Sequence, residues 1–122
     1  MDSDTRVLVA DATFGDRLLI ELEVESRLGL RLVAKARTGT EAAELCEQLK
    51  PDVIVFDPHI PVADGRGLVT LVRELSSQAK VIFWSDSDDR RLHDLAASNG
   101  ADACVAKHRN VRELISQIER MR

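Results

Sequence analysis

The chain has 122 residues, 44% hydrophobic and 31% charged, with a formal net charge of −4. That is the size of one globular domain, too apolar for a disordered chain and too acidic to grip nucleic-acid phosphates by itself. No apolar run approaches the ~20 residues of a membrane-spanning helix, and the Met1-Asp2-Ser3-Asp4 start carries acids where a signal peptide carries bases, so one cytoplasmic domain over 1–122 is expected.

The first apolar run, Val7–Ala10, predicts a strand, and the amphipathic stretch after it predicts a helix stopping at Gly29. Leu30–Ala34 follows; Arg31 within it marks an edge strand. Thr38-Gly39-Thr40-Glu41 has the spacing of a capping box and opens a second helix. Pro51 then precedes a third strand, Val53–Phe56. Leu68, Leu71, Val72 and Leu75 fall on one face of a third helix. Val81–Trp84 is a fourth strand. Asp88 is placed to cap a fourth helix, whose Leu92, Leu95 and Ala96 share a face and whose stop is Gly100. Ala103–Ala106 is a fifth strand. Asn110-Val111-Arg112-Glu113 repeats the capping spacing before a last helix with Val111, Leu114, Ile115 and Ile118 on one face. Cys46 and Cys104 lie in apolar patterns and are expected to be buried free thiols; no Cys/His grouping offers a zinc site.

Strict alternation of strand and helix in so short a chain implies one open parallel sheet covered on both faces. A doubly wound five-stranded α/β sheet in the order 2-1-3-4-5 fits best. Ligands bind such sheets at the carboxyl ends of the strands. Strands one, three, four and five end at Asp11, Asp57, Ser85 and Lys107. Two carboxylates, a hydroxyl and an ammonium should therefore converge, and buried charges of this kind are costly unless paired. Asp57 is the strongest candidate: it follows an apolar strand and its loop holds Pro58 and Pro61. Other chemistries lack their motifs. There is no P-loop, the turn after strand one has one glycine where a dinucleotide loop needs three, and Ser85 lies in no Gly-x-Ser-x-Gly elbow. His59, His93 and His108 share no motif and read as surface residues.

From Arg6 to about Glu119 this arrangement resembles the receiver domain of bacterial two-component response regulators, a flavodoxin-like fold. The resemblance is carried by Arg6–Asp11, Arg37–Ala42, Pro51–Asp57, Ile60-Pro61 with Asp64-Gly65, and Gly100–Lys107. It implies that Asp57 accepts a phosphoryl group from a phosphohistidine, that the Ser85 hydroxyl and Lys107 ammonium bind that group, and that Asp11, Asp57 and the His59 backbone carbonyl hold Mg2+. The expected activity is at most Mg2+-dependent self-phosphorylation and autodephosphorylation, not multiple-turnover metabolic catalysis. Implied partners are a sensor histidine kinase or phosphotransfer protein, and an output domain or partner protein on the helix 4–strand 5–helix 5 face. Arg90, Arg91, His93, Lys107, His108, Arg109 and Arg112 fall in or near that face. A homodimer and a C-terminal helix-turn-helix output domain also belong to this expectation; direct nucleic-acid or membrane contact by this domain does not.

Four positions depart from the family pattern. Ala12 stands where a second acid usually supplies a Mg2+ ligand, so a weakened metal site is expected. Asp86 follows Ser85 where a very small residue is usual. Cys104 stands where an aromatic ring usually reports activation. His108 follows Lys107 in place of a cis proline, and a cis bond to a non-proline costs ~3–4 kcal/mol, so this loop should be trans. The alternative reading is a pseudo-receiver, a protein-interaction module independent of phosphorylation; a small-ligand sensor using the same cleft is a third.

Overall fold

A computed structural model describes residues 4–60, 67–75 and 78–121. Along the chain lie β1 (Thr5–Ala10), α1 (Phe14–Glu25), β2 (Leu30–Ala36), α2 (Gly39–Leu49), β3 (Val53–Phe56), α3 (Leu68–Leu75), β4 (Lys80–Ser85), α4 (Asp89–Asn99), β5 (Ala103–Ala106) and α5 (Val111–Arg120). The five strands are parallel, in the order β2-β1-β3-β4-β5. Pro61, Asp64 and Gly65, which contributed to the family resemblance, lie outside the described residues.

The near-continuous apolar runs have a simple cause: successive strand residues feed two different cores. Leu8, Ala10, Ile54, Phe56, Val81, Phe83 and Ala106 pack with buried residues of α2, α3 and α4. Val7, Val9, Val53, Val55, Ile82, Trp84 and Val105 pack with Ile20 and Val24 of α1 and Leu114, Ile115 and Ile118 of α5. β2 is an edge strand as expected, with Arg31 and Lys35 exposed. Charges there discourage pairing with another chain. Its register with β1 shifts between Val7 and Leu8, which pair with Leu32 and Ala34.

Helix ends follow the sequence signals with three differences. Thr38 and Asp88 cap as expected, accepting the N–H groups of Glu41 at 3.1 Å and Arg91 at 3.0 Å. Asn110 caps α5 but accepts from the Arg112 N–H, at 2.8 Å, so it does not form the expected bond to Glu113. Gly29 does not end α1. That helix stops at Glu25 with Ser26 as its cap, and Gly29, at φ 86°, turns the chain into β2 while its carbonyl accepts the Thr5 N–H. At the end of α2 the left-handed position is held by Lys50, at φ 49°, so no glycine announced it. Of the two free thiols, Cys46 is buried as expected, but Cys104 is only half-buried.

Below the sheet's functional edge, Asp102 ties three elements together. Its Oδ2 accepts the Val81 N–H of β4 at 2.7 Å and Arg73 Nη2 of α3 at 2.9 Å, just ahead of β5. Partial burial works against its charge, but these two donors outweigh that effect and hold the carboxyl below the usual aspartate range. A carboxyl lowered in the folded state stabilises the fold above its unfolded pKa and loses that contribution as pH falls through the folded value. Asp102→Ala should therefore cost about 1–2 kcal/mol at neutral pH, the lower part of the range for orphaned donors because the site is partly solvated. Urea denaturation at pH 7 and again below pH ~4 should show the penalty shrinking in acid; a constant penalty would contradict the charged-acceptor role.

Candidate functional site at the carboxyl edge of the sheet

The structure brings Asp11, Asp57, Ser85 and Lys107 to one edge. Asp11 directly follows β1, its N–H bonded to the Ala36 carbonyl of β2. Asp57 directly follows β3, its N–H bonded to the Ala10 carbonyl of β1. Ser85 is the last residue of β4, and its carbonyl accepts the Lys107 N–H at 2.7 Å. Parallel pairing thus places all four side chains by backbone hydrogen bonds, before any side-chain contact is made.

Lys107 is the centre of the arrangement. Its ammonium lies 2.7 Å from Asp11 Oδ2, 2.8 Å from Asp16 Oδ2 and 3.0 Å from Asp57 Oδ2. The lysine side chain is 6% exposed, Asp11 1%, Asp57 14% and Asp16 31%. Burial disfavours the Lys107 charge, yet the three carboxylates overcome it and hold the ammonium above the usual lysine range. The indole of Trp84 lies beneath, its ring centroid 5.0 Å from Nζ, within cation–π reach.

Each acid has a fixed orientation. Asp11 Oδ1 accepts the Thr13 N–H at 2.8 Å, while its buried Oδ2 pairs with the Lys107 ammonium at 2.7 Å. Asp57 Oδ1 accepts the His59 N–H at 3.0 Å. Ser85 Oγ, fully buried, bonds Ser87 Oγ at 3.2 Å, and Ser87 in turn meets His59 Nε2 at 2.8 Å.

Asp16 is the residue the sequence reading missed. It sits in the first turn of α1, five positions beyond Asp11. Strand-end logic looks only at residues leaving the sheet. The available signal was an acid in the first helical turn, a position so favoured by the helix dipole that it reads as routine.

The other departures also have places. Ala12 and Asp86 are exposed. Lys107 and His108 are joined by a trans bond, with no cis peptide among the described residues. His59, His93 and His108 are all exposed, as expected. His108 and Arg109 both contact Asp89, the first residue of α4, at 3.3 and 2.9 Å. On this side a groove of about 520 Å³ runs between α4, β5 and α5, lined by Leu92, Cys104, Ala106, Arg109, Arg112 and Arg120 among others. Burial, and secondarily Asp89, push the Cys104 thiol pKa up.

The donors at the edge are hard oxygens, the kind Mg2+ prefers, and Asp11 Oδ2 and Asp57 Oδ2 are both engaged by the Lys107 ammonium. These residues fit a divalent cation in chemistry. As they stand, no group of three or more His, Cys, Asp or Glu among the described residues is spaced to hold one. The ammonium stands among the carboxylates, so an arriving cation has to share them with Lys107.

Known proteins match this geometry over nearly the whole chain. The transcriptional regulatory protein PdtaR of Mycobacterium tuberculosis is 32% identical over 119 residues, covering 93% of this chain and 55% of PdtaR. PrrA of the same organism is 35% identical over 116 residues, covering 93% of this chain and 48% of PrrA. The chain thus spans about half the length of these curated relatives. Among solved structures, the response regulator domain of Thermotoga maritima CheB superposes with a TM-score of 0.83 at 27% identity, covering 97% of this chain and 96% of that one. A chain of the complex between the P1 domain of CheA3 and CheY6 from R. sphaeroides superposes with a TM-score of 0.84 at 27% identity, covering 98% of this chain and 97% of that one. No helix among the described residues is long and apolar enough to cross a membrane. Residues 7–119 match the family described as the response regulator receiver domain, and with the fold and the two relatives in agreement the chain belongs to that family.

Proposed function

We propose that this domain is a phosphoryl-accepting switch, with Asp57 as the acceptor. The observation that carries the reading is the 3.0 Å approach of a buried lysine ammonium to the one strand-end carboxylate that is also open to solvent. Receiver domains interact with histidine kinases or phosphotransfer domains, and such a partner is the natural donor here. In the transfer, an Asp57 oxygen bonds to the phosphorus of a phosphohistidine and the P–N bond breaks. The imidazole leaves with the electron pair and takes a proton from solvent.

Catalysis of this step is positioning and charge neutralisation. Lys107 is already placed to pair with the incoming oxygens, and the Ser85 hydroxyl turns from Ser87 to donate to one of them. Asp11, Asp57 and the His59 carbonyl would hold Mg2+, which when bound would supply further charge neutralisation. With no acid at position 12, its affinity should be lower than in relatives that have one. The exposed Asp86 points its charge to solvent, so its repulsion of the phosphoryl group is largely screened.

Incubation with acetyl phosphate or phosphoramidate and Mg2+ should add one phosphoryl mass to the intact chain. Absence of an adduct at saturating donor would sink the switch reading. It would favour the pseudo-receiver alternative, which draws support from Cys104: a half-buried thiol beside the α4–β5–α5 groove has no ring to rearrange. A partner retained by Asp57→Asn in pull-down would then be the expected result.

A further inference from the structure

Asp57 and Ser85 are each clamped by the residue two positions further on. After β3, the His59 N–H donates to Asp57 Oδ1 at 3.0 Å. After β4, the Ser87 N–H donates to Ser85 Oγ at 3.2 Å. Bonds of this spacing are the ordinary way a short polar side chain fixes its own turn. Neither turn requires the contact between them. His59 Nε2 meets Ser87 Oγ at 2.8 Å, across 28 positions of sequence. A side-chain bridge therefore joins the loop that carries the acceptor to the loop that carries the hydroxyl.

The bridge also engages the hydroxyl itself. Ser85 is fully buried, and its O–H donates to Ser87 Oγ at 3.2 Å. Both hydrogen bonds of Ser85 Oγ among the described residues thus run to Ser87, and its one proton is committed there. Ser87 keeps its place because the next residue, Asp88, caps α4 by accepting the Arg91 N–H at 3.0 Å. His59 keeps its place through Asp57, whose carbonyl also accepts the Ile60 N–H at 3.2 Å. The weak joint is Ser85–Ser87. Its 3.2 Å is long for two hydroxyls, whereas the 2.8 Å joint to His59 is of normal length. A charged phosphoryl oxygen is a stronger acceptor than a neutral hydroxyl, so the bridge opens at that joint.

We propose that His59 and Ser87 are positioning residues that form a latch, holding the Ser85 hydroxyl turned to Ser87 until a phosphoryl oxygen replaces Ser87 as its acceptor. The proposal rests on the phosphoryl-accepting reading of Asp57 and Ser85. The latch is closed in the unmodified domain and open in the phosphorylated one. It therefore opposes formation of the adduct and leaves hydrolysis of the adduct nearly unaffected. That asymmetry separates a latch from a simple shield, which would slow the entry of donor and of water alike.

The test is the rate of adduct formation on the 122-residue chain with acetyl phosphate and saturating Mg2+, read by intact mass, together with the rate of adduct loss after the donor is removed. Ser87→Ala should speed formation about fivefold, the size of one net hydrogen bond, while changing hydrolysis less than about twofold. Ser87→Thr keeps the hydroxyl and should form the adduct at the unaltered rate. His59→Ala, at an exposed position, should speed formation by loosening Ser87. The double variant should then be no faster than Ser87→Ala alone, as residues of one hydrogen-bonded network are not additive. Formation unchanged or slowed in Ser87→Ala, equal acceleration of formation and hydrolysis, or additive effects in the double variant would each overturn the proposal. The two readings fail separately. An adduct that forms equally fast with and without the Ser87 hydroxyl overturns this one alone. An adduct on Ser87→Ala but none on the unaltered chain overturns the switch and leaves the latch standing, and no adduct on either overturns both.

Discussion

Lys107→Ala should destabilise the domain by about 3–5 kcal/mol in EDTA at pH 7, the range for removing one partner from a buried ion pair. The side chain is nearly fully buried among Asp11, Asp16 and Asp57, so its loss leaves three like charges facing one another with Asp11 almost sealed from water. Coulomb repulsion is only partly screened there, because water reaches Asp16 and, less, Asp57. The same reasoning gives a second arm. A divalent cation should restore more stability to the variant than it adds to the unaltered chain, because ligand linkage stabilises whichever folded state binds it more tightly. Urea titrations with EDTA and with Mg2+ provide both numbers. A loss below about 1 kcal/mol, the ordinary cost of a surface change, would mean the cluster is far wetter than its exposure implies.

Asp57→Asn should take up no phosphoryl group under conditions in which the unaltered chain does. The carboxamide is isosteric, so the His59 N–H keeps an oxygen acceptor where Asp57 Oδ1 accepts it at 3.0 Å, and the loop geometry survives. What is lost is the nucleophile: a neutral amide does not attack phosphorus. Stability should move the opposite way from Lys107→Ala. Removing one of three like charges eases their repulsion, while Lys107 keeps Asp11 at 2.7 Å and Asp16 at 2.8 Å. Intact mass and thermal unfolding on the same samples check both halves. An adduct on Asp57→Asn would place the acceptor elsewhere; a fall in stability would show that the Asp57 pair contributes more than the repulsion it adds.

The fold was legible because its signals are local and redundant. Five apolar runs, two side-chain caps at Thr38 and Asp88, and Gly100 at φ 75° each point to the same alternation. Strand order followed from the edge charges of β2 and the doubly wound topology. Where the reading slipped, the deciding contact was made elsewhere in the fold. Gly29 serves the β1–β2 connection through Thr5 rather than the end of α1, and Lys50 adopts a left-handed conformation with its amine bonded to the Leu75 carbonyl. At the site, residues at strand ends could be read off because parallel pairing fixes them. Asp16 could not, because its role depends on how far α1 tilts over the edge, and no spacing rule carries that angle.

The contacts between Asp89 and the two residues after Lys107 have a mechanical meaning. All three partners are solvent-exposed, and exposed ion pairs are weak and screened by salt. They behave as a catch with a low release force. Behind it, Lys107 is gripped by three acids; ahead of it, α4 starts at the very residue the catch holds. Lys107 is thus joined to the head of α4 through two peptide units and the contacts to Asp89. Ionic strength should therefore set how tightly the chemical edge and this outer helix are held together.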